Sequence, residues 1–182
     1  MRLDLTRTES GPLVFEGPID LSAHPGVQES VCLDGPVEIR GTLALLGKGK
    51  YRLDATGTAK GRVTCSRCLG PGEWVSEIVV ALTLEMAPTE SAGSKEEDDE
   101  GRELEPDELD VAFYEGDEFE IDSAVAEQIV LAVPMKPLCR EECLGLCPSC
   151  GGNRNESPCA CHAESKDPRW EALRGLAPSD RS

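Results

Sequence analysis

The residues best equipped for chemistry in this chain are its cysteines. Of nine in all, six fall in the C-terminal run Cys139-Arg-Glu-Glu-Cys143-Leu-Gly-Leu-Cys147-Pro-Ser-Cys150-Gly and the Cys159-Ala-Cys161 that follows it. Two more form Cys65-Ser-Arg-Cys68. Thiols this close are cross-linked, redox-active or metal-bound. The spacing points to metal. A Cys-x-x-Cys pair across a tight turn supplies half of a tetrahedral thiolate site, and a second pair completes it. Gly151, directly after Cys150, has the freedom to take the positive φ that closes such a turn. The odd cysteine count argues against a disulfide framework. So does the opening Met-Arg-Leu-Asp-Leu-Thr-Arg, which lacks the apolar run of a secretory leader. No stretch approaches the ~20 apolar residues of a membrane-spanning helix. These features lead to the expectation of a soluble, cytoplasmic protein with no membrane partner.

Cys32 stands alone in a strand-like stretch and is expected to be a small buried residue. The other eight cysteines allow two groupings. One joins Cys65 and Cys68 to Cys139 and Cys143, and Cys147 and Cys150 to Cys159 and Cys161, giving two zinc ions. The other makes a single local site of Cys139, Cys143, Cys147 and Cys150, and leaves Cys65/Cys68 and Cys159/Cys161 as weaker pairs. The local grouping closes shorter loops, but closure entropy depends only weakly on loop length. His162 could replace Cys159 or Cys161. In either grouping a four-thiolate zinc is closed to substrate, so a structural role is expected.

Other chemistry is poorly supplied. The histidines, His24 and His162, sit in no acid–base or nucleophile arrangement, and no glycine-rich loop of phosphate-binding type is present. A redox Cys-x-x-Cys normally opens a helix, whereas Cys65 follows a strand and precedes Pro71-Gly72. No catalytic residue is expected.

The elements that must position the cysteines are mainly strands. In the turn-rich positions 1–36, Leu3, Leu5, Leu13, Val14 and Phe15 suggest short strands. Val37, Ile39, Gly41, Leu43 and Leu45 alternate with mostly polar or small neighbours, as in a half-buried strand. Gly47-Lys48-Gly49 reads as a hairpin turn. A second strand runs from about position 50 to 64, with Gly57 and Gly61 as candidate bulges. A third carries Trp74, Ser76, Ile78, Val80, Leu82, Leu84 and Met86 on one face. Val111-Ala-Phe-Tyr114 and Glu118-Phe-Glu-Ile121 look like a hairpin around Gly116-Asp117. Asp122 or Ser123 then caps a helix ending near Val133, with Val125, Ile129, Val130 and Val133 on one face. The predicted fold is α+β: an antiparallel meander or partly open barrel, one main helix and a C-terminal zinc-knuckle module. The predicted regions are 1–86, the β region with Cys65-x-x-Cys68; 87–110, an acidic flexible loop; 111–134, the hairpin and helix; and 135–182, the cysteine-rich module with a tail helix.

Eighteen basic and 35 acidic residues give a formal charge of −17. Such a chain is repelled from nucleic acid overall. The charge is uneven, however. Positions 96–110 hold ten acidic residues and one basic. Positions 40–67 hold seven basic residues (Arg40, Lys48, Lys50, Arg52, Lys60, Arg62 and Arg67) against Asp54 alone.

Several of these segments carry a family likeness. Cys65-Ser-Arg-Cys68-Leu69 after a strand, Glu-Ile-Asp122 leading into an apolar helix, Cys143-Leu-Gly-Leu-Cys147-Pro-Ser-Cys150-Gly and the tail Asp167-Pro168-Arg169-Trp170 together resemble the bacterial YceD family. That family is also described as large ribosomal RNA subunit accumulation protein. The likeness covers most of positions 30–176. It implies a role in synthesis, processing or stability of large-subunit ribosomal RNA, with no established enzymatic activity. Because the cysteine-rich tail varies in such proteins, it implies a mainly stabilising role for that module here.

Three functions follow as expectations. The first is a ribosome-assembly factor that touches large-subunit RNA or a precursor particle through Arg52, Lys60, Arg62 and Arg67, with Arg169 and Trp170 on a sticky tail helix. The second is a chaperone for a basic ribosomal protein, working through the acidic positions 96–110. The third is a thiol redox protein or nuclease.

Overall fold

The computed structural model describes residues 1–87 and 110–161. The acidic positions 96–109 and the tail with His162, Arg169 and Trp170 lie outside the described residues. Among the described residues, eight strands and two α-helices follow in chain order. They are β1 (Arg2–Asp4), a 3-10 turn (Leu5–Ser10), β2 (Leu13–Ile19), α1 (Pro25–Ser30), β3 (Cys32–Leu33), β4 (Val37–Gly47), β5 (Lys50–Thr64), β6 (Pro71–Met86), β7 (Val111–Tyr114), β8 (Glu118–Glu120) and α2 (Asp122–Ala132). The main sheet runs β2-β4-β5-β6-β7, with β3 added on β5. It is open, not closed into a barrel, and it is mixed, because β7 runs parallel to β6 while the other neighbours are antiparallel.

Strand alternation builds the core. Ile39, Leu43, Leu53, Ala59, Ile78, Val80 and Leu84 all point to one face and are buried there. Val125, Ala126 and Ile129 of α2 and Leu3, Leu5 and Ile121 belong to the same apolar cluster. The opposite face carries the charged and β-branched residues, among them exposed Val14, Val75 and Val79. Burying one such Leu or Ile side chain contributes roughly 1.5–3 kcal/mol, which explains how a chain with few aromatics holds this sheet.

The β4–β5 hairpin turns on Lys48 and Gly49, with φ of 53° and 73°. Positive φ at both central residues matches the twist of the flanking strands. Gly57 and Gly61 are not bulges. The β5–β6 register is unbroken from Tyr51↔Leu84 to Thr64↔Pro71. Neighbours press on both glycines instead. A Cβ at Gly57 would lie 2.3 Å from Ile39 Cδ1, and one at Gly61 2.5 Å from the Cys32 carbonyl oxygen.

The expected hairpin at 111–121 is also corrected. The turn exists, closed by a Glu115↔Glu118 bridge, but its two arms enter different sheets. Tyr114 stays with the main sheet, donating to the Gly49 carbonyl at 2.8 Å. Phe119 pairs with Leu3 in a two-stranded β1–β8 sheet. Each arm follows its larger buried side chain. Cys32, expected to be buried, is exposed. It pairs with Arg62 at the sheet margin, where β3 has only two residues. Asp122 opens α2 but does not cap it. Its carboxylate meets the Met1 amino group, which also places a negative charge at the helix N-terminus.

Candidate metal centres

Two turns with the same hydrogen bonding present the cysteines. After β5, the Cys65 N–H donates to the Gly70 carbonyl at 2.8 Å and the Leu69 N–H returns to the Cys65 carbonyl at 2.9 Å. In the C-terminal module the Cys147 N–H donates to Gly152 at 2.8 Å and the Gly151 N–H returns to Cys147 at 2.9 Å. The residue after the second cysteine has positive φ in both turns: 59° at Leu69 and 72° at Gly151. In each case the two thiols face the same way.

The structure brings together the sulfurs of Cys65, Cys68, Cys139 and Cys143, and separately those of Cys147, Cys150, Cys159 and Cys161. Within each group all four lie within 4.8 Å of one another. The long-range grouping is therefore the one formed, and the local set of Cys139, Cys143, Cys147 and Cys150 is not. A tetrahedral zinc thiolate with ~2.3 Å bonds has sulfur–sulfur edges of about 3.8 Å. The Cys65–Cys143 and Cys68–Cys139 edges measure 3.8 and 3.7 Å, so the first tetrad already has the size of such a site.

The surroundings prepare the thiols unequally. Backbone N–H groups, first that of Cys68 and then that of Cys139, hold the Cys65 thiol down at about 6. Backbone N–H groups of Cys150 and Ser149 do the same for Cys147, also at about 6. Burial and the neighbouring sulfurs push Cys139 up to about 12. The sulfur of Cys150, by hydrogen bond and charge, pushes Cys161 to about 12. Cys68 is raised despite the Gly70 N–H, because burial and the Cys65 sulfur outweigh it. Each tetrad thus holds a ready thiolate beside thiols that keep their protons until a cation compensates the charge. Metal binding must displace those protons. At pH 7.5, loading the first tetrad is expected to release at least the Cys68 and Cys139 protons. Affinity should accordingly fall steeply as pH drops from 8 toward 6, as measured by metal titration in weakly buffered solution. Proton release clearly below two per ion would contradict this.

The module is fastened to the sheet around the first tetrad. The Ser66 N–H and hydroxyl both donate to the Pro137 carbonyl at 2.8 Å. The Arg67 guanidinium donates to the carbonyls of Glu141 (3.2 Å) and Cys143 (2.9 Å), and the Arg67 carbonyl accepts from the Leu146 N–H at 3.0 Å. Gly72 at the start of β6 allows the backbones to touch, since a Cβ there would lie 2.8 Å from the Cys139 Cα. Neither Gly72 nor the reach of Arg67 to the module's carbonyls carries a signal in the sequence.

The remaining predicted partner residues are spread out. Arg52, Lys60 and Arg62 share the outer face of β5, but eight residues of strand put Arg52 about 26 Å from Lys60. Arg52 meets Asp54 at 3.0 Å, Lys50 meets Glu85 at 2.5 Å and Arg62 lies 3.9 Å from Asp34. Lys60 is exposed. A different surface, missed by sequence reasoning, lies between β7, β8 and α2. It is a groove of about 610 Å³ lined by Asp110, Glu115, Glu118, Glu120 and Glu127 together with apolar side chains that include the exposed Phe113. No Lys, Arg or His is among the described residues lining it, although Arg2 approaches Glu118 from outside at 3.7 Å. The signal is hard to find because these carboxylates come from the two ends of β7, from β8 and from α2.

The model of the family described as large ribosomal RNA subunit accumulation protein YceD matches residues 53–177 of this chain. The chain belongs to the YceD family. The match covers both tetrads, β7, β8 and α2. Among curated proteins, the uncharacterized protein Rv2926c of Mycobacterium tuberculosis and the uncharacterized protein Mb2951c of Mycobacterium bovis are each 33% identical over 111 residues. That is 60% of this chain and 47% of each relative, so the match spans about half the length of those relatives. No solved structure matches the chain. No helix among the described residues is long and apolar enough to cross a membrane.

Proposed function

We propose that this chain supports accumulation of large-subunit ribosomal RNA as a non-catalytic, cytoplasmic binding factor, and that it does so by holding a basic segment of a ribosomal protein. The observation that carries this reading is the groove beside β7. It combines five carboxylates, exposed apolar lining and, among the described residues, the outer edge of β7. An extended chain with alternating basic and apolar residues satisfies all three at once, by strand addition on β7, apolar side chains over Phe113 and cations on the rim. Proteins that bind RNA phosphates carry the clustered cations such a rim would attract. The net charge of −17 favours the same partner.

In this reading each tetrad holds a structural zinc. Four thiolates of the right size fit zinc and leave no open coordination position. The ions fix the C-terminal module against the sheet and perform no chemistry on a substrate.

The test uses defined probes, a synthetic basic ribosomal-protein tail and a large-subunit RNA fragment. Reversing Glu118 and Glu127 to Lys is expected to weaken peptide binding at least about tenfold at low salt, and less as salt rises. Changing Lys60 and Arg62 to Ala should leave peptide binding unchanged. The exposed pair Lys60 and Arg62 favours RNA contact as the second reading. RNA binding lost with that pair and untouched by the groove reversals would establish it in place of the first. Turnover of a disulfide or RNA substrate, lost on Cys65→Ser, would support the thiol or nuclease reading instead.

A further inference from the structure

The loop between the two cysteine pairs of the second tetrad reaches back to the first. Asn155 sits in that loop, between Cys150 and Cys159, and its side-chain NH2 donates to the Cys143 sulfur at 3.3 Å. Its orientation is over-determined. The Asn155 Oδ1 accepts from the Leu144 N–H at 2.8 Å and from the Arg140 guanidinium at 2.9 Å. Its Nδ2 also donates to Asn153 Oδ1 at 2.8 Å, and its own backbone N–H donates to the same oxygen at 3.1 Å. With both donors on the oxygen, the amide nitrogen must face the sulfur. The loop is pinned further by the Arg154 N–H on the Gly145 carbonyl at 3.0 Å and by the Leu146↔Asn153 bridge.

We propose that Asn155 couples the two centres: filling the second tetrad holds its amide on the Cys143 sulfur, so the first tetrad binds its ion more tightly when the second is filled. This rests on reading the tetrads as metal centres. Asn155 acts as a positioning residue, not a ligand. An N–H on a metal-bound thiolate takes up part of its negative charge and fixes its direction, and outer partners of this kind typically change metal affinity 10–100-fold. An ion in the second tetrad closes the loop that carries Asn155, so the amide no longer has to be ordered when the first ion binds. Linkage makes the effect reciprocal. Exposure separates the roles. Cys65 and Cys143 of the first tetrad are buried, while Cys150 and Cys161 of the second are exposed. With Cys147 buried but Cys150 and Cys161 exposed, the second centre is the more open of the two, so in this proposal it loses its ion first and the loss is felt inside the first.

The experiment is a Co²⁺ titration of the metal-stripped full chain, followed by competition with Zn²⁺ and a chromophoric chelator. It is run on the unaltered protein, on Asn155→Ala, on Cys159→Ser/Cys161→Ser and on the triple variant. Circular dichroism of the sheet serves as folding control. Removing the second site is expected to weaken the first at least about tenfold. Asn155→Ala should weaken the first site by a similar factor with all cysteines intact, and the triple variant should be no weaker than either parent. If first-site affinity in Asn155→Ala equals that of the unaltered protein, the proposal fails, even if the cysteine variant does not fold. It also fails if disabling the second site still weakens the first in the Asn155→Ala background. Two ions bound independently would remove only the coupling. No ion bound at either tetrad would remove the metal reading with it.

Discussion

Replacing Cys65 and Cys68 together by serine will release the C-terminal module from the sheet while the sheet stays folded. The first tetrad joins residues 71 or more positions apart. Without it, the hydrogen bonds that hold the module among the described residues are those of Ser66, Arg67 and Leu146, each contributing about 0.5–1.5 kcal/mol net. A four-thiolate zinc contributes far more, about 10–16 kcal/mol of apparent binding free energy in small peptides at neutral pH. The apolar cluster built from Leu43, Leu53, Ile78, Leu84 and Ile129 does not include the tetrad. Limited proteolysis should therefore cut the variant between about 135 and 161 at least tenfold faster, while circular dichroism keeps the β signal. Equal protease resistance with and without the pair would show that the cysteines do not fasten the module. Serine at Cys159 and Cys161 should have a smaller effect on protease resistance, because the first tetrad still joins the module to the sheet.

The second large effect concerns a residue with no chemistry of its own. Gly72→Val places a branched side chain where a Cβ would already lie 2.8 Å from the Cys139 Cα and 3.2 Å from the Leu138 carbonyl. Both contacts are backbone, so neither can rotate away. Overpacking of this kind costs about 1–3 kcal/mol. Here the strain is relieved by moving Cys139, which opens the first tetrad. The expected result is a lower melting temperature together with loss of about one ion per chain at moderate chelator concentration. Gly72→Ala should act in the same direction, more weakly. Gly35→Ala, which meets nothing within 4 Å, should change neither. Full metal retention in Gly72→Val would mean the module is held independently of the strand.

Strand patterning made much of the sheet legible. Lys50–Thr64 and the β6 face from Trp74 to Leu84 follow from period-two alternation, and Gly47-Lys48-Gly49 marks its own turn. That the thiols form metal-type clusters was legible from spacing, but the grouping was not: Cys139 and Cys143 could equally join Cys147 and Cys150, and only the fold brings them to Cys65 and Cys68. Other features depend on tertiary contacts that leave no local pattern. The β7 and β8 arms part because Tyr114 and Phe119 find partners far away in sequence, at Gly49 and Leu3. Gly57 and Gly61 read as bulges because a strand glycine gives the same signal whether it bends the ladder or admits a neighbour. Positions 40–67 read as a basic stretch because Asp34 and Glu85, which approach Arg62 and Lys50, lie outside that window. The role of Asn155 was hidden because an asparagine in a polar loop is unremarkable until its nitrogen is seen on a sulfur.

The central claim is that two four-thiolate ions brace this protein. Elemental analysis of the purified full chain, before and after paired cysteine changes, tests it most directly. About two zinc per chain are expected, about one after Cys65→Ser/Cys68→Ser and about one or fewer after Cys159→Ser/Cys161→Ser. A chain that carries no bound ion, or one whose metal content is indifferent to the loss of Cys65 and Cys68, would contradict it.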